Sequence, residues 1–399
     1  MKVLLVSRLY PPHPGRGSAF TTQRLAEELS RLGVEVVVIN SPDVVETTTR
    51  WHNGVMVYDI PIPNFRKLTQ VRERKDPQSQ AVFKRMLTRR NEVIGNIVQI
   101  INKEAPNVVH TMTTSFPPGP LWRKVKEMGF PIVHTLQLHT LLCRNELMFK
   151  EGRRCETPCD DECKKIVETG REVTRHVDAV VGCSQFITDL HLEQGLFHEA
   201  TVKTAIFNST PTNPLPKRQR PPQQRLQIGF LGQISTDKGI GWLLRQLKRL
   251  PTANYDLWIA GRGSRQNQTA IERQIKNLPA KFIGYQPADK FLTHIDLLVI
   301  PSLWDEPFGL IAAEALAAGT PILTARRGGL VEIAESSNGV AELFEPQTPR
   351  TFLTKINRLI KNPTPLRNPS LHEKCREAAK RFSVQRMAEE YLSVYEKFI

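Results

Sequence analysis

Short, nearly unbroken apolar runs alternate with helix-period segments along almost the whole chain, and the alternation stops once and then starts again. In the first half the runs are KVLLV (2–6), VEVVVI (34–39), NVVH (107–110), PIVHTL (131–136) and AVVG (179–182). Runs of this kind predict strands covered on both faces. Between them, residues 21–32 carry Leu25, Leu29 and Leu32 at helical spacing, and residues 83–101 carry Leu87, Ile94, Ile97, Val98 and Ile101. Strands that alternate with helices predict parallel sheets made of strand-helix-strand units. The tract STPTNPLPKRQRPPQQR (209–225) has five prolines and no hydrophobic period, which predicts an extended linker. The pattern resumes with LQIGFLG (226–232), YDLWIAG (255–261), KFIG (281–284), IDLLVIPS (295–302) and TPILTA (320–325). A chain of 399 residues has room for two such domains. The expected fold class is therefore α/β, with two doubly wound Rossmann-like domains, 1–208 and 226–382, facing each other across a cleft. Open parallel sheets bind ligands beyond the carboxyl ends of their strands.

Apolar residues make up 40% of the chain and charged residues 24%, the balance of an ordinary globular protein. No segment reaches the roughly 18 consecutive apolar residues of a spanning helix, and the opening MKVLLVSRLYPP reads as a buried first strand, not an export signal. The expected location is the cytoplasm, with peripheral contact at the inner face of the membrane as an extension of that expectation. The 55 basic side chains outnumber the 40 acidic ones, giving a net charge of +15. Residues 64–91 alone carry nine basic side chains (Arg66, Lys67, Arg72, Arg74, Lys75, Lys84, Arg85, Arg89 and Arg90) against Glu73 and Asp76. Such a run is either a solvated helix face or a docking surface for anionic lipid or a phosphorylated acceptor. Nucleic-acid binding would call for aromatic platforms among the charges or a groove-reading module, and neither is present.

Four of the six cysteines cluster in LLCRNELMFKEGRRCETPCDDECKK: Cys143, Cys155, Cys159 and Cys163. Four thiols suit a structural tetrahedral zinc site, although the spacing matches no common zinc module. Reduced thiols or local disulfides are the alternative. Cys183 and Cys375 stand alone and read as structural.

Two motifs carry chemistry. In PSLWDEPFGLIAAEALAAGTPILTARRGGLVEI (301–333) a strand ends at Pro301 and a loop delivers Glu306 just before a helix, with Glu314 eight residues further on. Eight helical residues turn the second carboxylate by ~80° and advance it by ~12 Å, so the two do not share a proton. The backbone N–H groups of Phe308, Gly309 and Leu310 open the helix, where donors and the macrodipole favour anions or sugar hydroxyls. The small side chains Ala312, Ala313, Ala315, Ala317 and Ala318 mark the helix as core, and carboxylates on such a helix need partners. The second motif, GFLGQISTDKGI (229–240), runs a strand through Gly232 into a turn ending at Lys238 and Gly239. An ammonium beside backbone amides can neutralise a departing diphosphate.

With these motifs, the chain resembles the retaining glycosyltransferases of family 4, which have the GT-B fold. The resemblance covers nearly the whole chain: Glu306-x7-Glu314, the GxxxxxKG turn at Lys238, the WIAGRG and FIGY strand ends, the GGLVEI loop and the closing RFSVQRMAEEYLSVY. It implies a nucleotide-diphosphate-sugar donor bound mainly by the second domain and an acceptor bound mainly by the first. Glu314 would hold the ribose, Glu306 with the 308–310 amides the transferred sugar, and Lys238 the diphosphate. Tyr285, Gly261 and Gly263 would line the base and ribose, Gly17 would lie near the diphosphate, and residues 383–399 would form a helix crossing back to the first domain. The insertion 143–163 would border the acceptor site.

The chain departs from the family pattern in three places. Arg16 stands where a first glycine usually precedes Gly17. Gln233 stands where an arginine often accompanies the lysine; the alternatives are that some members of the family share this Gln, or that Arg262, Arg326 or Arg327 supplies the charge. Gln137 replaces the cleft histidine; His139, two residues on, is either its substitute for contact with sugar or acceptor or a satisfied structural residue. The expected activity is retaining, metal-independent glycosyl transfer to an acceptor hydroxyl of a glycan, lipid-linked or small-molecule acceptor, in glycan, polysaccharide or glycolipid synthesis. The chain has no D-x-D pair, and in the role the resemblance implies the two glutamates would hold hydroxyls and flank no attacking water. An inactive sugar-nucleotide-binding protein or a sugar-nucleotide epimerase on the same fold is the alternative.

Overall fold

The computed structural model describes the chain except for residues 13–16, 43, 45, 62–76, 115–117, 212–224 and 252–253, and the side chains of 77–89. Arg16, most of the Pro-rich tract and nearly all of the basic 64–91 run lie outside the described residues.

The chain divides into two compact units. One comprises Met1–Glu146, Asp160–Phe207 and Val384–Ile399; the other comprises Leu147–Cys159 and Asn208–Ser383. In chain order the first unit begins with β1 (Lys2–Ser7), β2 (Glu35–Asn40), β3 (Thr48–His52), β4 (Val55–Asp59), β5 (Val108–Thr111) and β6 (Ile132–Leu136). The chain then passes through a short hairpin, β7 (Phe149–Lys150) and β8 (Arg153–Arg154), which belongs to the second unit. It returns with β9 (Ala179–Gly182) and β10 (Val202–Ala205). The first unit's sheet has the order β10-β9-β6-β5-β1-β2-β4-β3. Its strands pair in parallel except β3 with β4.

The central strands are the ones whose apolar runs are unbroken in sequence, and their burial explains why. Val3, Leu4 and Leu5 in β1, and Val38 and Ile39 in β2, have no exposed surface. The C-terminal helix Val384–Tyr395 completes this core with Met387, Ala388, Tyr391, Val394 and Tyr395. The hydroxyls of Tyr391 and Tyr395 reach Thr135 Oγ1 (2.8 Å) and His110 Nδ1 (2.7 Å).

The second unit carries β11 (Leu226–Leu231), β12 (Tyr255–Ala260), β13 (Ala280–Phe282), β14 (Leu297–Ile300), β15 (Ile322–Ala325) and β16 (Ala341–Phe344) in the order β13-β12-β11-β14-β15-β16. Every pairing in it is parallel. The strand order reverses between β11 and β14, so the loops after these two strands leave the same edge of the sheet side by side. This is the position at which doubly wound sheets bind ligands.

The cysteine-bearing stretch does not stay with the first unit as one insertion over 143–163. Its middle, Leu147–Cys159, groups with the second unit. The hairpin pairs with itself, Phe149 against Arg154, and Arg154 Nη1 lies 3.6 Å from Asp305 Oδ2 of that unit. No helix among the described residues is long and apolar enough to cross a membrane.

Candidate functional site

The site is built at the strand-order reversal of the second unit. The loop after β11 runs through Asp237, Lys238 and Gly239 to the helix Ile240–Leu247, and the loop after β14 runs through Ser302, Trp304 and Glu306 to the helix Leu310–Ala317. Backbone bonds stitch the two loops together: Leu303 N–H donates to the Asp237 carbonyl at 2.8 Å. Gly239 has a φ of +73°, and a Cβ on it would stand 1.7 Å from the Pro301 carbonyl oxygen. Only glycine allows that approach.

The stitching brings Lys238 to Glu306. Lys238 Nζ lies 2.7 Å from Glu306 Oε1, with both side chains largely withdrawn from solvent. Ser302 Oγ donates to the same carboxylate oxygen at 2.7 Å. The ammonium also sits 4.6 Å above the ring centroid of the buried Trp304, a cation–π arrangement that holds it from a second side. The Glu306 carbonyl accepts the Gly329 N–H at 2.8 Å, which ties the loop to the turn after β15. Gly309, at φ +99°, caps the helix, where a Cβ would come within 2.4 Å of Leu330. The helix's first-turn N–H groups have no acceptor within the helix itself, so its start favours anionic or hydroxyl ligands.

Asp305, next to Glu306, is mostly buried, and that burial pushes its carboxyl above the usual range; the opposing pull of Arg154, Arg327 and the Gly328 amide does not fully offset it. Sequence reasoning did not single out Ser302, Trp304, Asp305 or Arg154. The first three lie within the quoted PSLWDEPFG segment, and the signal was available as polar and aromatic residues flanking Glu306. Arg154 has no local signal, because its partner is distant in sequence.

The remaining residues of the motif set are placed as follows. Glu314 lies half-buried on the Leu310–Ala317 helix. Gly232 and Gln233 follow β11, with Gln233 exposed. Gly261 N–H donates to the Gly284 carbonyl at 2.8 Å, and Gly263 bridges to Ile234. Tyr285 is exposed, with the Arg262 guanidinium 4.2 Å from its ring centroid. The other arginines offered as replacement charges have carboxylate partners: Arg326 lies 3.4 Å from Glu335, and buried Arg327 lies 3.0 Å from Glu345.

In the first unit, Gly17 is exposed and opens the helix Gly17–Arg31 that follows β1. His139 is wholly buried. Cys143 and Cys163 meet within the first unit, Sγ to Sγ at 3.9 Å, and none of the six cysteines forms a disulfide.

Comparison with known proteins agrees with this geometry. A profile of Glycosyl transferases group 1 matches residues 212–382. One of the Glycosyl transferase 4-like domain matches residues 16–203. The chain belongs to the family 4-like GT-B glycosyltransferases. This glycosyltransferase is 26% identical over 396 residues, 99% of its own length, to an uncharacterised 42.6 kDa protein of the cps region of Klebsiella pneumoniae, all of which is covered. It is also 26% identical over 292 residues to the MMP alpha-(1->4)-mannosyltransferase of Mycolicibacterium hassiacum, covering 69% of this chain and 67% of that protein. Among solved structures, the sucrose-phosphate synthase of Thermosynechococcus elongatus superposes with a TM-score of 0.74 at 16% identity, covering 99% of the glycosyltransferase and 98% of that chain. An Anabaena protein crystallised with UDP and glucose gives 0.67 at 16% identity, with both chains fully covered. At these identities the likeness shows the fold.

Proposed function

We propose that this glycosyltransferase moves a sugar from a nucleoside-diphosphate sugar to an acceptor hydroxyl with retention of anomeric configuration. The observation that carries this reading is the 2.7 Å contact of Lys238 with Glu306 at the start of the Leu310–Ala317 helix, on the strand-order reversal. It puts a cation for a diphosphate beside a carboxylate for sugar hydroxyls. In the reaction the bond from the anomeric carbon to the β-phosphate oxygen breaks, and a bond to the acceptor oxygen forms on the same face. The acceptor's proton passes to the departing phosphate oxygen. Lys238 stabilises the charge that develops on the diphosphate, Glu306 and the 308–310 amides orient the sugar, Glu314 binds the ribose, and Tyr285 lies beside the base.

A lysine that supplies the positive charge makes a divalent ion unnecessary for the transfer step in this reading. Structural neighbours crystallised with UDP-glucose and UDP-2-fluoro glucose make uridine diphosphate sugars the first donors to test. A role in glycan, polysaccharide or glycolipid synthesis belongs to the same reading.

The test is donor turnover by the purified chain on a panel of uridine-, guanosine- and adenosine-diphosphate sugars, with the product anomer read by NMR. Release of nucleoside diphosphate with a retained anomer, persisting after free magnesium and manganese are removed, is the expected result. Binding without turnover on any donor, or an inverted product, overturns it.

A further inference from the structure

Two exposed side chains of the second unit touch each other in a way that leaves the donors of one of them open. Arg262 extends from the loop after β12 and Tyr285 from the loop after β13. These are neighbouring parallel strands, so both loops leave the edge of the sheet from which the Lys238 and Glu306 loops also leave. Arg262 Cζ lies 4.2 Å from the centroid of the Tyr285 ring, and Tyr285 is 58% exposed. The backbone beneath the pair is fixed. Gly261 N–H donates to the Gly284 carbonyl, and Ile234 N–H donates to the Arg262 carbonyl, each at 2.8 Å. A Cβ on Gly261 would stand 1.8 Å from the Gly232 carbonyl oxygen, so the loops after β11 and β12 press backbone against backbone just before Arg262.

Stacking on an aromatic ring uses the face of a guanidinium and leaves its in-plane N–H groups free to donate. Among the described residues no carboxylate pairs with Arg262 and no oxygen accepts from its side chain. Arg326 and Arg327, after β15, are by contrast each paired with a glutamate. A guanidinium held flat, with its donor edge open, suits a planar ligand that presents acceptors. The order of the strands tells which part of a ligand reaches it. Along the sheet the loops follow as Glu306 after β14, Lys238 after β11, Arg262 after β12 and Tyr285 after β13. Neighbouring strands stand about 4.8 Å apart, so this row spans about 14 Å. With the sugar at Glu306 and the diphosphate at Lys238, the nucleoside end falls at Arg262 and Tyr285.

We propose that Arg262 reads the donor's base, selecting bases that present a keto oxygen, uracil and guanine, over adenine. The inference rests on the donor reading above and adds to it the residue that discriminates. Uracil offers O4, and guanine offers O6 beside N7, as acceptors for the guanidinium fork; adenine presents an amino group in place of that oxygen. Facing it, the fork sets donor against donor and loses a hydrogen bond. Tyr285 holds the plane of the fork. A lysine at position 262 would bring the charge without the plane.

The test is calorimetric titration of the full purified chain with UDP, GDP and ADP. UDP or GDP should bind at least about fivefold more tightly than ADP. Arg262→Ala should bring the three to within about twofold of one another, by weakening the preferred diphosphate. Its melting temperature should stay that of the wild type, because the side chain is exposed. Arg262→Lys should lose the preference as the alanine variant does. A wild-type chain that binds the three equally or prefers ADP overturns the base-reading role and leaves the donor reading standing. So does a full preference for UDP or GDP in either variant. A wild-type chain that binds none of the three overturns both.

Discussion

Lys238 and Glu306 stand 68 positions apart in sequence and share a 2.7 Å ion pair, because the loops after two adjacent parallel strands are stitched together by the Asp237 carbonyl. The pair is only partly exposed, so the ammonium is held in place before any ligand arrives. Removing one preorganised charge-stabilising contact typically costs about 10² to 10³ in rate. Lys238→Ala should lose turnover on that scale, about 3 to 4 kcal/mol of transition-state stabilisation, with its melting temperature little changed. Wild-type kcat in a folded variant refutes the role.

Ser302 tests the aim of the carboxylate. Its hydroxyl donates to the same Glu306 oxygen that Lys238 touches, and it is buried. A hydrogen bond to a charged group contributes about 1.5 to 3 kcal/mol. Ser302→Ala should lower kcat/KM about tenfold or more, whereas a substitution that only loosened the fold would lower the melting temperature without that kinetic loss.

Gly239 tests the stitching. At φ +73°, with its missing Cβ facing the Pro301 carbonyl at 1.7 Å, Gly239→Ala should destabilise the second unit by about 2 to 4 kcal/mol. Gly241, two residues on, would place a Cβ in ordinary contact with Arg245, nearest atom 3.6 Å. Gly241→Ala should be neutral or gain up to about 1 kcal/mol of helix propensity. Denaturant titration of both variants gives the comparison, and equal midpoints contradict the packing.

Three buried histidines set an acid limit on the first unit. Burial pushes His110 and His191 down to about 3 and His134 down to about 4. His110 is fixed between the Tyr395 hydroxyl and Thr135 Oγ1, both at 2.7 Å. In the unfolded chain these imidazoles titrate near 6.5, so between that value and pH 3 to 4 the unfolded state binds more protons than the folded one. Stability from these groups is complete above pH 6.5 and is lost as pH falls through the window below it. The loss is about 1 kcal/mol per histidine between pH 6 and pH 5. A melting temperature that is flat from pH 7.5 to 8.5 and falls steeply below pH 6 is expected. No acid loss above pH 4 would show that these imidazoles are solvated.

The two sheets were legible because their central strands are buried on both faces and so consist of unbroken apolar runs. β3, β10 and β16 were missed for the opposite reason, and β4 and the β7–β8 hairpin were missed as well. β3 is mostly exposed and β16 half-buried, so composition does not mark them, and β4 follows β3 across a two-residue turn. Lys238 and Glu306 were visible because each follows a strand through a turn that requires glycine. That they would touch each other, through a serine and over a tryptophan, was not visible. That His139 would be wholly buried was not visible either, because a histidine beside a strand end fits a contact residue and a structural one equally well.

The amino-acid order alone determined the two α/β units, the restart after the prolines and the glycine-bearing turns that carry Lys238 and Glu306, since these depend on local periodicity and short-range turn geometry. The fold decided which distant side chains meet: Lys238 with Glu306, Cys143 with Cys163, and Arg154 with Asp305. These contacts follow from the order of strands in a sheet and from the path of an excursion, and no local stretch of sequence encodes a partner tens of residues away.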